Sequence, residues 1–508
     1  VALNDVGTRL SPAWWMARLT DEQTKRLPRF EELDAWLRNE PPLPEGAASW
    51  EEAYRDFHKD TLTNVAALAV SSVRDRLTPL GFRTAASNDD NGDAIAHRNW
   101  VDNRMPVQQV DLLTSVFGLS EGYAMVGPPK PGTESPIITV QDPREVITAH
   151  DPLREQDVRA GMRTLFDPDE GLDVCYLYFP PGPKYHPTQV SVYRATRKAA
   201  RGTNWGTDFR FASRQWTFDS EVELVPISRV PIVRFRNRNG VAEFEPHKGL
   251  LGRLNRIVLQ RMLIGEIQAF RQRAVEGLPD VYPEGHALAG QKIDYQGVFT
   301  PGPGSMWKVP PGAKFWESQP IDLRPLLDEE RLEFRTASAL MGIPVSYFNP
   351  DDTNGSAEGA SLQRESLIYR AEDRQTIIEA GLNDIQSLAF EIIGDRERMK
   401  LSEIETIWAP IERLSLTERY NAAVQAKAAG LANDTIRRQV LKMTPREMRQ
   451  AALDDAKDMV LGVSNRGPSP AEVLQIQSQR TDQQPQRPRS VSRETPAIAP
   501  AAQQQRSA

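Results

Sequence analysis

One cysteine, Cys175, stands alone among 508 residues, so the chain can form no internal disulfide and no thiolate metal cluster. Histidine is nearly as scarce. The six at 58, 97, 150, 186, 247 and 286 include no helical pair at metal-ligand spacing, and each reads as a surface or packing residue. No apolar run approaches the roughly 20 residues that span a bilayer, so no membrane partner is expected. Val1–Leu10 lacks a basic start followed by an apolar stretch, so no secretory signal is expected either. Excess positive charge is also missing. A formal net charge of −7 makes the chain a poor wrapper of nucleic acid, which needs clustered Lys and Arg, but does not exclude a surface that DNA slides past. These absences point to a protein made and used in a cytoplasm-like milieu.

Enzyme signatures are missing as well. No GxxxxGK[ST] phosphate loop is present, so nothing would cradle ATP. Gly302-Pro303-Gly304 begins like a dinucleotide loop but lacks the third glycine, and its prolines suit a turn. Asp351-Asp352-Thr353-Asn354-Gly355 hints at a calcium loop. The register fails, because Pro350 would then hold the first ligand position and Ser361 that of the bidentate Glu. Neither a GxSxG elbow nor an HExxH helix occurs. Glu329 and Glu330 read as a solvated helix face. No catalytic, cofactor-binding or metal-binding residue is expected, and the balance moves towards a structural or binding protein.

What is present suits a folded chain of several substructures, with 39% apolar and 26% charged residues. The N-terminal quarter reads as helical, with capping boxes at Thr20/Gln23 and Ser49/Glu52. A long amphipathic helix is expected from Ser49 to Leu77, and another over Met105–Phe117. From Tyr123 to Phe235, short β-rich runs (Pro136–Val140, Val174–Phe179, Gln189–Tyr193, Arg210–Phe218, Ile232–Phe235) alternate with turn residues, which predicts a twisted, mostly antiparallel β region. His247–Val275 reads as a very apolar helix interrupted by arginines, stopped by Gly277 and Pro279. A Pro/Gly/aromatic insert, Leu278–Pro320, carries strand-like pieces at Ser305–Val309 and Lys314–Glu317. A return helix over Leu323–Met341, an exposed loop over Gly342–Gly359 and a helix from Ala360 to Ile393 follow, with Gly381 as an expected bend. Ser415–Gly462 predicts three short helices. Beyond Ser464 the Gln-, Pro- and Arg-rich composition predicts disorder.

This order resembles the portal proteins of tailed phages, in particular long-tailed (siphovirus-type) phages of actinobacteria. Asn64-Val65 through Arg74-Asp75-Arg76-Leu77 and Leu80-Gly81-Phe82 is similar to an early helix and turn of that family. Gly118–Val126 and Val230–Arg238 are similar to strands that enter and close its wing. Met341-Gly342-Ile343-Pro344 with Ser356-Ala357-Glu358-Gly359-Ala360 and Glu365 is the most telling match. The resemblance covers about Ser49 to Gly462 and rests on order and spacing together.

It implies an α+β portal fold with a β-rich wing, a helical stem, a small α/β clip, a long wing helix and a helical crown. The implied boundaries are wing 1–246, stem helices 247–277 and 321–342, clip 278–320, tunnel loop 343–359, long wing helix and return strand 360–412, crown 413–463 and disordered tail 464–508. It further implies a homo-oligomer of twelve copies at the capsid portal vertex of a virion, made in the bacterial host cytoplasm. Duplex DNA would pass through the ring. The partners would be the terminase large subunit, a head-completion adaptor, and the major capsid and scaffolding proteins. Expected DNA-facing residues are Asp351, Asp352, Asn354 and Glu358 in the loop. Arg253, Arg256, Arg261, Arg271 and Arg273 are expected in the stem channel, and Tyr282, Tyr295, Trp307 and Trp316 at the clip docking face. Two other readings stay open on the residues alone: a non-viral multidomain scaffold or adaptor, and an unrecognised hydrolase. A symmetric ring with a central hole would exclude both.

Overall fold

Helix α1 (Pro12–Leu37) starts where Ser11, in extended backbone, accepts a hydrogen bond from the Trp14 amide and Pro12 takes the first helical position. This earlier start removes the expected capping box. Thr20 and Gln23 lie buried inside α1, where Thr20 donates to Met162 Sδ (3.8 Å) and Gln23 Nε2 donates to the Arg144 carbonyl (2.6 Å). The computed structural model describes residues 5–43, 58–86, 92–198, 216–269, 273–295, 312–317, 319, 322–348, 357–412, 416–441, 443 and 445–460. The pattern at Ser49/Glu52 and the segment Ser305–Val309 lie outside them, as do most of Arg210–Phe218 and the tail after Ser464. The chain divides into two compact units, 1–414 and 415–508.

In the first unit the single helix expected from Ser49 to Leu77 is broken. Residues 58–60 are helical, and α2 (Val65–Arg74) restarts behind Asn64, whose side chain caps the Ala67 amide (3.2 Å). The break has a tertiary cause: the Thr63 amide and hydroxyl both donate to Asn255 Oδ1 (3.0 and 2.7 Å). Strand β1 (Pro79–Arg83) follows. Helix α3 (Ala94–Asp102) is capped by Asp93 on the Ile95 and Ala96 amides, and α4 (Met105–Leu119) takes the predicted place.

The β region is antiparallel throughout. Strands β2 (Glu121–Gly127) and β3 (Ile137–Gln141) belong to one three-stranded sheet. β4 (Val146–His150), β5 (Val158–Asp167), β6 (Leu172–Phe179), β7 (Val190–Lys198), β8 (Thr217–Phe218) and β9 (Glu223–Val225) form the larger one, with both β8 and β9 on β7. β10 (Ile232–Arg236) completes the small sheet in the order β10-β2-β3. The sequence reading named no strand at β4, β5 or β9. Gly161 interrupts the pattern of β5 for a packing reason, since a Cβ there would sit 2.7 Å from the Ile232 side chain. Trp15, Met16 and Leu19 of α1 cover one face of the large sheet through Met162, Cys175, Leu177 and Phe179.

Helix α5 (Lys248–Ala269) is shorter than the predicted His247–Val275. Its last expected residues form β11 (Arg273–Glu276), paired with β12 (Lys314–Glu317). Helix α6 (Arg324–Met341) ends at Gly342 in the left-handed conformation (φ +61°). Helix α7 (Ala357–Ile393) then runs 37 residues without interruption, about 55 Å at 1.5 Å per residue. The helix is unbroken at Gly381, the expected weak point or bend. That glycine lets the Phe235 ring approach, where a Cβ would be 2.2 Å from a ring carbon. β13 (Glu405–Trp408) returns to pair with β1. One large core joins α2, α4, β10, the start of α5, the end of α6 and α7 from Leu367 to Phe390, with Phe82, Phe117, Phe244 and Phe390 fully buried.

The second unit holds α8 (Leu416–Ala428), which Gly430 (φ +86°) closes, a short helical stretch over 433–440, and α9 (Pro445–Val460) opening on its proline. Arg437 joins Asp455 across it. Mixed helices and antiparallel sheets make the fold α+β.

Candidate channel and docking elements

Helices α5 and α6 leave the core side by side. In α5 the buried residues Leu250, Leu254, Ile257 and Val258 fill the first half, while Met262, Leu263 and Ile264 are half-buried. In α6 the buried residues are Ala337, Ser338 and Met341 at its end, and Leu327 and Leu332 further out are exposed. Arg253 pairs with Glu333 (3.1 Å) and Arg261 with Glu330 (2.5 Å), so positions rising along α5 meet positions falling along α6. The helices are antiparallel, rooted at one end and projecting at the other.

Those ion pairs decide what the predicted stem arginines can do. Arg253 and Arg261 are each matched by a carboxylate of α6, so Glu330, expected on a solvated face, is an interhelical partner. Arg256 is exposed and has no carboxylate partner among the described residues. Arg273 stands opposite Glu317 in the β11–β12 register, and Arg271 lies outside the described residues. The aromatic insert divides similarly. Tyr282 stacks on His286 at 4.5 Å, and the Tyr295 hydroxyl donates to the Pro279 carbonyl (2.8 Å), so both hold the insert's own turn. Trp316 is 55% exposed and Phe315 48%, which leaves them available to another surface. Trp307 lies outside the described residues.

Of the segment expected to be an exposed loop, the described start, 343–348, is largely packed. Ile343 is buried, Ser338 donates its hydroxyl to the Ile343 carbonyl (2.6 Å), and Phe348 sits 5.8 Å from the Phe334 ring. Asp351, Asp352 and Asn354 lie outside the described residues, and of Glu358 only its place in the first turn of α7 is described.

The feature that sequence reading missed is a buried joint. Glu243, just before α5, accepts from Arg370 Nε (2.7 Å) and Arg374 Nε (2.6 Å), one turn apart on α7. Asn237 Nδ2 adds a third bond (3.0 Å), and Arg370 also donates to the Met341 carbonyl at the end of α6. Asp373 joins Arg374 to Arg238. Burial alone would push the Glu243 carboxyl up, but the two guanidiniums hold it below the ordinary carboxylate range. One carboxylate therefore ties together the starts or ends of α5 and α6 and the middle of α7. The arginine pair at i, i+4 on α7 was the available signal.

Among the described residues no group of His, Cys, Asp or Glu is arranged to hold a metal, and no helix is long and apolar enough to cross a membrane. The family described as Phage portal protein, SPP1 Gp6-like, matches residues 17–484. The chain belongs to the phage portal protein family. Portal proteins are structural, non-catalytic components of the capsid vertex, and the family implies a homo-oligomer with capsid and packaging partners. The match begins inside α1, so it takes in helical sequence that the resemblance noted above left out. A comparison with curated proteins finds no match.

Proposed function

We propose that this portal protein forms a ring of twelve copies at one capsid vertex, through which duplex DNA is packaged and later ejected. The observation that carries the reading is the helix–ribbon–helix excursion of α5, β11–β12 and α6. Its root is buried, yet Leu327, Leu332, Phe315 and Trp316 are exposed on a single copy. Neighbouring copies would cover these surfaces, since apolar patches of this kind mark association sites.

In this reading α5 and α6 are the stem, 278–320 is the clip, 343–359 the tunnel loop and 413–463 the crown. The clip docks the terminase large subunit, whose ATPase drives packaging, and afterwards the head-completion adaptor. Wing and crown meet the major capsid and scaffolding proteins. Pairing of Arg253 and Arg261 with α6 supports a lumen that does not grip DNA, because free cations drive tight binding through counterion release. Among the described residues, Arg256 is a stem cation open to phosphate contact. Asp351, Asp352 and Glu358 place three carboxylates per copy near a constriction. Screening over roughly 8 Å limits their field to DNA close by. They form a non-adhesive collar. Electron micrographs of the purified protein should show rings with a central hole. A stable monomer at micromolar concentration in low and moderate salt would overturn the proposal.

A further inference from the structure

Helix α5 keeps one exposed face. Gly249, Arg253, Arg256 and Gln260 recur on it at three- and four-residue spacing. Its neighbouring cations are spoken for within the chain: Lys248 pairs with Glu32 (2.6 Å), Arg253 with Glu333 (3.1 Å) and Arg261 with Glu330 (2.5 Å). Arg256 has no carboxylate partner among the described residues. Helix α6 leaves the opposite charge over. Glu330 and Glu333 are taken, and Asp328 pairs with Arg331 (3.5 Å), but Glu329 is exposed and has no ion-pair partner among the described residues. Glu266, the other unpaired carboxylate of the two helices, lies ten residues, about 15 Å, further along α5 than Arg256.

The antiparallel register sets Arg256 and Glu329 at one level. From the Arg253–Glu333 pair, Arg256 lies three residues out along α5 and Glu329 four residues out along α6, about 4.5 and 6 Å. At about 100° per residue, Arg256 is turned about 60° from Arg253 and about 140° from Arg261. Glu329 is turned about 40° from Glu333 and about 100° from Glu330. Both therefore stand on the Arg253–Glu333 flank of the helix pair. Two free charges of opposite sign share one height and one flank, and their own chain does not join them.

We propose that Arg256 of one copy pairs with Glu329 of the next, an ion pair that closes the seam between neighbouring stems. The inference rests on the homo-oligomeric portal reading and names a contact between copies. A second copy is the partner because each free charge has its complement on this same chain, at the same height. Rotation about a ring axis keeps every residue at its own height. Two-helix stems set along that axis alternate α5 and α6, so each α5 meets the α6 of the adjacent copy with Arg256 level with Glu329. Arg256, open on a single copy, is then neutralised in the ring, and its level of the channel holds no free cation to grip phosphate. The plainer reading is that both charges are solvated and idle, as many surface charges are.

Charge reversal followed by mixing separates the two. Arg256→Glu sets two carboxylates at every seam, and Glu329→Arg sets two guanidiniums. By native mass spectrometry of the full chain at low salt, each variant should assemble at least about tenfold less well than wild type. The fold of both is checked by circular dichroism. An equimolar mixture, with one variant isotope-labelled, should recover rings that hold the two in equal numbers, because alternation joins opposite charges at every seam. The double variant, Arg256→Glu with Glu329→Arg, should assemble like wild type. Single variants that assemble as well as wild type overturn the pair and leave the portal reading standing. So does a mixture no better than either variant alone, or a double variant no better than the singles. Wild-type protein that forms no oligomer defeats the portal reading itself.

Discussion

The two ends of the α5–α6 pair are built on opposite plans. At the root, a fully buried carboxylate is held by two arginines and an asparagine, and Leu254, Ala337 and Met341 sit in the main core. Further out, Arg261 pairs with Glu330 across the two helices, and Trp316 and Leu332 are exposed. The contrast teaches where each end finds its stability. The root is closed by contacts within one chain, so its geometry is set before any partner arrives. The outer end leaves surface uncovered, as an element meant for changing neighbours must.

The strongest way to break this contrast is at the root. Glu243→Ala would leave Arg370 and Arg374 buried without their carboxylate, and should cost about 3–5 kcal/mol in denaturant unfolding of the full chain. Because Glu243 titrates below its unfolded value, its contribution is complete at neutral pH and is lost as pH falls below about 4. Glu243→Gln should therefore flatten the acid limb of the stability–pH curve. An unchanged limb would show that the joint is not a charged lock. Next in size is the insert. Replacing 278–320 with a Gly/Ser linker should leave the rest folded by circular dichroism and abolish binding of terminase and adaptor. Terminase binding with unchanged affinity would remove the docking role. A smaller effect is expected at the collar: Asp351→Lys with Asp352→Lys should leave rings intact, raise affinity for duplex DNA in a salt-sensitive way and slow packaging. An unaltered packaging rate would sink the collar.

Much of this layout was legible in the sequence because it is local. Apolar periodicity placed α4, α5, α6 and α7, Gly342 marked the end of α6, and the order of elements carried the family resemblance. What was hidden depends on distant partners. The break before α2 needs Asn255, nearly 200 residues away, and Gly381 read as a weak point because Phe235 could not be foreseen beside it. The Glu243 joint spans 127 and 131 residues to its arginines, a separation no periodicity reports. Of the candidate site, the aromatic content of the insert was legible. The split between Tyr282 and Tyr295, which hold the turn, and Trp316, which faces outward, was not.

The most direct test of the central claim is the particle mass of full-length protein carrying Leu327→Asp and Leu332→Asp, measured beside the wild type by mass photometry. If the root is self-sufficient and the outer end is covered by neighbours, the wild type should weigh as a ring of twelve. The variant should be a folded monomer whose thermal midpoint matches that of unassembled wild type. A variant that still forms the wild-type particle, or one that fails to fold as a single copy, would contradict the account.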